Sequence, residues 1–230
     1  MCGRYSLTHS AEEIAARFNV DRPRDFQPRY NVAPTQVMPV VRGADGEREL
    51  AELRWGLIPF WAKDKKIGNR MINARAETAA KKPAFRAAFR RRRCLVAADS
   101  FYEWVEREGK KWPIRIRFGQ GELGAFAGLW ERWTDEQEQV IESYTILTTE
   151  AHEVLVDIHD RMPLWAPAQY WDNWLFDDRA AEEVMDSMID DFPSQQVSYE
   201  PVSRELNRPG NEGPQLVEPL EKDGLPRRLS

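Results

Sequence analysis

Cys2, Asn73, Glu103 and His159 are the positions whose residue types suit attack on a carbonyl carbon. Cys2 follows Met1, and an aminopeptidase removes an initiator methionine only when the next residue is small. Cys qualifies, so the mature chain is expected to begin with an α-amine beside a thiol. That amine titrates near about 7.7–8.0, against about 10.4 for lysine, so at neutral pH its free base is roughly a few hundred times more populated. An aldehyde condenses with such an amine to an imine. The thiol can then close on the imine carbon to a five-membered thiazolidine, which no internal residue can form. The alternative is that Met1 stays and Cys2 is a small buried residue.

Each of the other three positions also has two readings. Asn73, in Ile72-Asn-Ala-Arg-Ala-Glu-Thr78, either hydrogen-bonds a ligand or caps the following turn. Arg75 in the same run either grips a phosphate or pairs with an acid such as Glu77. Glu103 sits in the aromatic run Phe101-Tyr-Glu-Trp104, where an apolar setting would raise its pKa to a value useful for proton transfer. In an alternating strand it would simply face water. His159 lies between acidic neighbours and is either an orienting, proton-handling group or a hydrogen-bonded structural residue. The chain has three histidines and two cysteines. His9, His152 and His159 lack metal-ligand spacing, so no metal site and no cofactor are expected.

These residues need elements to hold them. Ser10-Ala-Glu-Glu13 has the form of a capping box and predicts a short helix through Ile14, Arg17 and Phe18. Pro23, Pro28 and Pro34 predict an extended, loop-rich stretch over 21–36. Val37–Val41 and Glu49–Trp55 flank the turn Gly43-Ala-Asp-Gly46 and predict a hairpin. Residues 56–72 read as an exposed loop carrying Phe60, Trp61 and several lysines. Pro83 suits the first position of a helix whose apolar face is Phe85, Ala88 and Phe89. Short strands are predicted at Cys94–Ala98, Phe101–Arg107, Trp112–Phe118, Ala125–Trp130 and Tyr144–Thr149. Helices follow after Pro167, through Tyr170, Trp174 and Leu175, and near 179–190. Val197–Val202 reads as a last strand before a tail that frays after about Pro219. No repeat or linker divides the chain. The order predicts one α+β domain over residues 1–230, with a mostly antiparallel sheet.

Composition sets outer bounds. The chain has 230 residues, of which 42% are apolar and 31% charged, including nine tryptophans. No run of about 18–20 apolar residues suggests a membrane span, and Met1-Cys-Gly-Arg-Tyr5 leads into no apolar run of the signal-peptide kind. The expectation is a soluble intracellular monomer, cytoplasmic and nucleoid-associated if the source is prokaryotic. The net charge of −5 argues against a general polyanion binder. Affinity for phosphates, however, follows local basic density, which is greatest at Arg90-Arg-Arg-Arg93.

Taken in order, the motifs resemble those of the SOS-response-associated peptidase (SRAP) family. The matching stretches are Met1-Cys-Gly-Arg-Tyr5, Arg29-Tyr-Asn-Val-Ala-Pro-Thr35, Arg54-Trp-Gly-Leu-Ile-Pro59, Ile72–Thr78, Arg93-Cys-Leu-Val96, Phe101–Trp104 and Asp157-Ile-His-Asp-Arg-Met-Pro163. Pro201-Val-Ser203 and Gly213-Pro-Gln-Leu-Val-Glu-Pro219 resemble the closing segments. The resemblance implies a single domain with a curved, barrel-like β core and flanking helices. It implies cross-linking to abasic sites in single-stranded DNA, with Cys2 as nucleophile, Asn73 positioning the opened sugar, and Glu103 and His159 handling protons. It places Arg4, Arg75 and Arg161 on DNA phosphates, and Pro34 and Trp61 against bases beside the lesion. A peptidase activity is also implied, since the same residues suit peptide hydrolysis. Ala97 and Ser100 depart from the Pro and Gly common at these positions, and Leu164-Trp-Ala166 departs from an aliphatic run.

Rival readings remain open. An N-terminal-nucleophile glutamine amidotransferase also opens with Met-Cys-Gly, but its glutamine-holding motifs are not found here. A non-covalent reader of modified or single-stranded DNA, or a structural protein, would need none of the four reactive groups.

Overall fold

The computed structural model describes residues 2–21, 26–119 and 121–220. The elements run β1 (Tyr5–Leu7), α1 (Ala11–Phe18), β2 (Arg29–Val32), β3 (Val37–Ala44), β4 (Glu47–Trp55), β5 (Asn73–Arg75), α2 (Ala76–Ala79), α3 (Arg86–Arg91) and β6 (Arg93–Ala98). They continue with β7 (Ser100–Arg107), β8 (Lys110–Phe118), β9 (Gly124–Thr134), β10 (Val140–Glu150), β11 (Arg161–Pro163), α4 (Trp171–Phe176), α5 (Ala181–Asp190) and β12 (Val197–Pro201).

Local signals explain most of the starts and stops. In α1 the Ser10 hydroxyl accepts the Glu13 amide while the Glu13 carboxylate accepts the Ser10 amide, the reciprocal capping that the sequence predicts. Asn19 ends the helix in the left-handed region. The β3–β4 hairpin turns tightly at Asp45 and Gly46, both at positive φ (51° and 84°), as a two-residue turn between right-twisted strands requires.

Strands β10, β4, β3, β6 and β9 pair in that order, and β9 returns to β10, which closes a barrel. Within it only β4 and β10 run parallel. Strand β10 outruns its barrel neighbours and pairs beyond them with β5 (parallel) and β11 (antiparallel). The second sheet is antiparallel throughout, in the order β12-β8-β7-β1-β2. The two sheets share one core. Tyr5 packs edge-on against Trp55 (5.2 Å) and Phe126 (6.3 Å), and its hydroxyl lies 2.7 Å from that of Tyr144 on β10. Helices flank this core: Phe18 of α1 stacks on Trp171 (4.6 Å), and Phe89 of α3 meets Trp174 of α4.

A buried carboxylate fastens β1 to the corner between β6 and β7. Asp99 accepts from the Ser6 hydroxyl (2.5 Å), from the Thr8 amide and from the Thr8 hydroxyl (2.8 Å), and faces His9 (3.4 Å) and Arg115 (3.5 Å). Burial alone would raise its pKa, but the bonds from His9, Ser6 and Thr8 outweigh burial and hold it below the ordinary carboxylate value. The bond to Asp99 in turn raises the pKa of His9. Ser100, one of the two departures from the family pattern before the Phe-Tyr-Glu-Trp run, joins this cluster by hydrogen bonds to Ser6 and to Arg115.

The segment after β12 straps back over β1, β2 and β7. Leu206 and Leu216 are buried with Tyr102 and Val202. The Asn31 amide donates to the Leu206, Arg208 and Asn211 carbonyls (3.3, 3.0 and 3.0 Å). The Glu212 carboxylate accepts the outward Tyr30 amide and the Arg29 guanidinium, each at 2.8 Å. Leu220 donates to Pro201 O, so the chain is still anchored there, and the tail expected to fray beyond it lies outside the described residues.

Several expectations need correction. The stretch 21–36 contains β2, because Arg29–Val32 pair with β1 despite the flanking prolines. Helix α3 begins at Arg86 rather than Pro83, after a turn in which Phe85 donates to Lys82 O. Within 56–72 a 3-10 turn forms over Lys65–Arg70, capped by the Asp64 carboxylate. Gly56, at φ 113°, and Gly68 let two backbones meet there, since a Cβ on either would stand 2.5 Å from the other's carbonyl oxygen. The Arg run is partly structural. Buried Arg93 donates to the Phe89, Arg90 and Trp174 carbonyls and to Asp178, and Arg92 pairs with Glu131. Among the described residues no helix is long and apolar enough to cross a membrane.

Candidate active site

Cys2 precedes β1, and the pairing of β1 with β7 decides what lies beside it. Tyr5 pairs with Phe101 and Ser6 with Ser100, and the Tyr102 amide donates to Arg4 O (3.0 Å). Continuing that antiparallel register carries the chain start alongside Glu103 and Trp104. The barrel meets this point through β5. The Asn73 side-chain amide donates to Cys2 O at 2.7 Å, so Asn73 reaches across to the chain start and does not cap α2. His159 arrives through β11, because Arg161–Pro163 pair with Glu150–Thr148 on the same β10 that holds Asn73 through Ile146.

The electrostatics link the same groups. Glu103 is 5% exposed, so the water-facing reading fails; β7 is buried on both faces over Ser100–Glu103. Burial raises the Glu103 pKa above the ordinary value, against a lowering pull from His159. Cys2 is 0% exposed, and its thiol donates to Arg4 O at 3.7 Å. Burial, reinforced by the charge on Glu103, pushes that thiol well above its ordinary pKa. The His159 ring is partly exposed, and its Nδ1 lies 2.9 Å from the Arg161 amide and 2.8 Å from an Asp160 oxygen. Its Nδ1 edge is thus turned toward its own loop. Cys2, Asn73, Glu103 and His159, distant in sequence, converge on the meeting line of the two sheets. No cluster of His, Cys, Asp and Glu able to hold a metal ion is found among the described residues.

The expected DNA contacts divide into groups. Arg75 is exposed at the end of β5 and leaves Glu77 to another partner. That partner is Arg161, which is 8% exposed and makes a two-pronged ion pair with Glu77 (2.7 and 3.0 Å) and a bond to Thr148 O (2.5 Å). Arg161 is thus committed to fastening α2 onto β10. Arg4 is half-buried, donates to Asn31 Oδ1 (2.5 Å) and Leu206 O (3.1 Å), and lies over the Trp104 ring. Pro34 precedes Thr35, a left-handed residue (φ 76°) whose amide bonds Trp55 O. The loop leaving Trp55 then carries Phe60 and Trp61, 59% and 49% exposed, and Trp133 holds it by donating to Ala62 O (2.7 Å).

Sequence reasoning passed over Asn31, whose side chain splices Arg4 to the strap, and Asp99. Asp99 had a signal: an acid ending the apolar run Cys94–Ala98 is rarely buried without partners.

A family profile described as "SOS response associated peptidase (SRAP)" matches residues 1–209. A Bacillus subtilis relative, "Abasic site processing protein YoqW", is 40% identical over 222 residues, covering 95% of this chain and 99% of its own. An Escherichia coli relative, "Abasic site processing protein YedK", is 31% identical, with coverages of 96% and 100%. "Abasic site processing protein HMCES" of Gallus gallus is 30% identical over 89% of this chain and 69% of its own. A solved protein of Bacteroides thetaiotaomicron superposes with a TM-score of 0.84 at 24% identity, covering 96% and 100% of the two chains.

Proposed function

Because this chain belongs to the SRAP family, we propose that it processes abasic sites in single-stranded DNA by cross-linking itself to them through Cys2. The observation carrying this reading is the convergence of Cys2, Asn73, Glu103 and His159 where the two sheets meet. The opened sugar of an abasic site presents an aldehyde. With Met1 removed, the Cys2 amine attacks the aldehyde carbon; a carbinolamine forms and loses water to give the imine. Nitrogen leads in this reading, because the thiazolidine ring closes only on an imine carbon. The thiol then adds across the C=N bond. Sulfur bonds to carbon, and the thiol proton passes by way of Glu103 to the ring nitrogen.

Glu103, with a pKa raised by burial, is suited to both giving and taking protons. It protonates the leaving hydroxyl of the carbinolamine and later relays the thiol proton. Asn73 holds the Cys2 carbonyl, fixing where the amine stands, and its Oδ1, buried without a hydrogen-bond partner among the described residues, is suited to accept from a sugar hydroxyl. His159 Nε2 handles the sugar oxygen.

The peptidase and amidotransferase readings differ in their order of events, since they need sulfur to attack first with the amine as base. The deciding experiment incubates Met1-free protein with single-stranded DNA bearing one abasic site, beside intact and double-stranded controls. A band that survives denaturing electrophoresis, confined to the abasic single strand and lost in Cys2→Ala or when Met1 is retained, is expected. An adduct of equal yield in Cys2→Ala would end the proposal, and ammonia release from glutamine would move it to the amidotransferase class.

A further inference from the structure

Between Glu77 and Asp99 the chain has no acidic residue, yet it carries Lys81, Lys82, Arg86 and Arg90–Arg93. In a protein of net charge −5 this is a local reversal of sign. Three acids that flank the run in sequence or pair with its buried end are already taken: Glu77 by Arg161, Glu131 by Arg92 and Asp178 by Arg93. Lys81, Lys82, Arg86, Arg90 and Arg91 are all exposed, and none has an ion-pair partner among the described residues.

The fold itself has little use for some of these charges. Arg90 and Arg91 lie in the last turn of α3, where the helix dipole favours a cation. Arg86 opens the same helix, where the dipole disfavours one, and it sits four residues before Arg90, a like-charged spacing that costs helix stability. Lys81 and Lys82 lie before the helix altogether. Along the chain the run follows β5, which carries Asn73 and exposed Arg75, and α2.

We infer that the exposed edge formed by Lys81, Lys82, Arg86, Arg90 and Arg91 is a phosphate track. It holds the DNA strand outside the abasic nucleotide, on the side where the strand leaves Arg75. This rests on the proposed function for its substrate class, but its own chemistry is ionic and independent of Cys2. The side chains are exposed, carry the charge that phosphates match, and would follow the backbone whatever the sequence.

The test measures equilibrium binding to undamaged single strands, in which no aldehyde is present, so it succeeds or fails independently of cross-linking. Arg86→Gln/Arg90→Gln/Arg91→Gln is compared with the parent on a strand of about 5 nucleotides, near one site length, and on one of about 20. The expected result on the long strand is weaker binding, with a log–log salt dependence shallower by about 2, three lost contacts at roughly 0.7 each. The short strand should bind both proteins alike. Lys81→Gln/Lys82→Gln should flatten the long-strand dependence by a further unit or so, at about 0.7 per contact. An unchanged salt slope on the long strand, or an equal loss on both lengths, overturns the track. An adduct assay on the short abasic strand, run beside it, reports on the cross-linking reading alone.

Discussion

At the scale of single residues, Glu103 combines a cost to stability with a use in chemistry. Its carboxyl binds a proton more tightly folded than unfolded. Folding stability must therefore fall as pH rises from the ordinary glutamate value, near about 4.3, toward the folded one. Glu103→Gln removes that penalty. The variant should melt higher than the parent at neutral pH, with the gap closing in acid, while forming adduct about 10²-fold more slowly. Calorimetry across pH and a single-turnover adduct assay check both halves, and a variant that melts lower at neutral pH contradicts the assignment. Asn73→Ala loses the 2.7 Å grip on Cys2 O and should slow adduct formation by about 10²-fold through misplacement of the amine. Its affinity for an undamaged strand should be unchanged, which separates positioning from binding. The identities of these residues were readable from their types and order. Their burial and partners were not, because Asn73 and Cys2 are joined by a contact between two sheets that no local pattern encodes.

Elements were legible wherever the chain signals locally. The capping box of α1, the Asp45-Gly46 turn and the apolar strands from β6 to β10 all follow from short-range chemistry. Strand β2 escaped because its partner β1 is remote and prolines border it, and α2 because four residues are too few to show a period. The corner around Asp99 is where such remote pairings are secured. Asp99→Ala strands Ser6, Thr8 and Arg115 in a buried site and is expected to cost about 2–4 kcal/mol in urea unfolding. The ionic partner has a pH signature. His9 has a raised folded pKa, so its contribution is complete below the unfolded value, near about 6.5, and is lost as pH rises through the folded one. The stability difference between the parent and His9→Gln should thus be largest in mild acid and shrink in alkali; a difference that grows with pH excludes the His9–Asp99 interaction as its source. Trp165 shows a departure from the family pattern made harmless. It stacks on Phe118 (4.1 Å) and lies over Gly124, where a Cβ would stand 2.0 Å from the ring, so Gly124 is the residue that makes room for it.

Across the whole molecule, charge is distributed rather than merely counted: a chain of net charge −5 keeps exposed cations in one run free of acids. Architecture is equally uneven. The barrel closes on itself, but the second sheet ends at β2, whose outward backbone has no neighbouring strand among the described residues. A side chain stands in for one, since the Glu212 carboxylate occupies the Tyr30 amide. An unguarded strand margin is a template for stacking one copy on another. Removing Glu212 would bare that margin as well as loosen the strap, and Glu212→Ala is expected to scatter more light than the parent as concentration rises, well below its melting point.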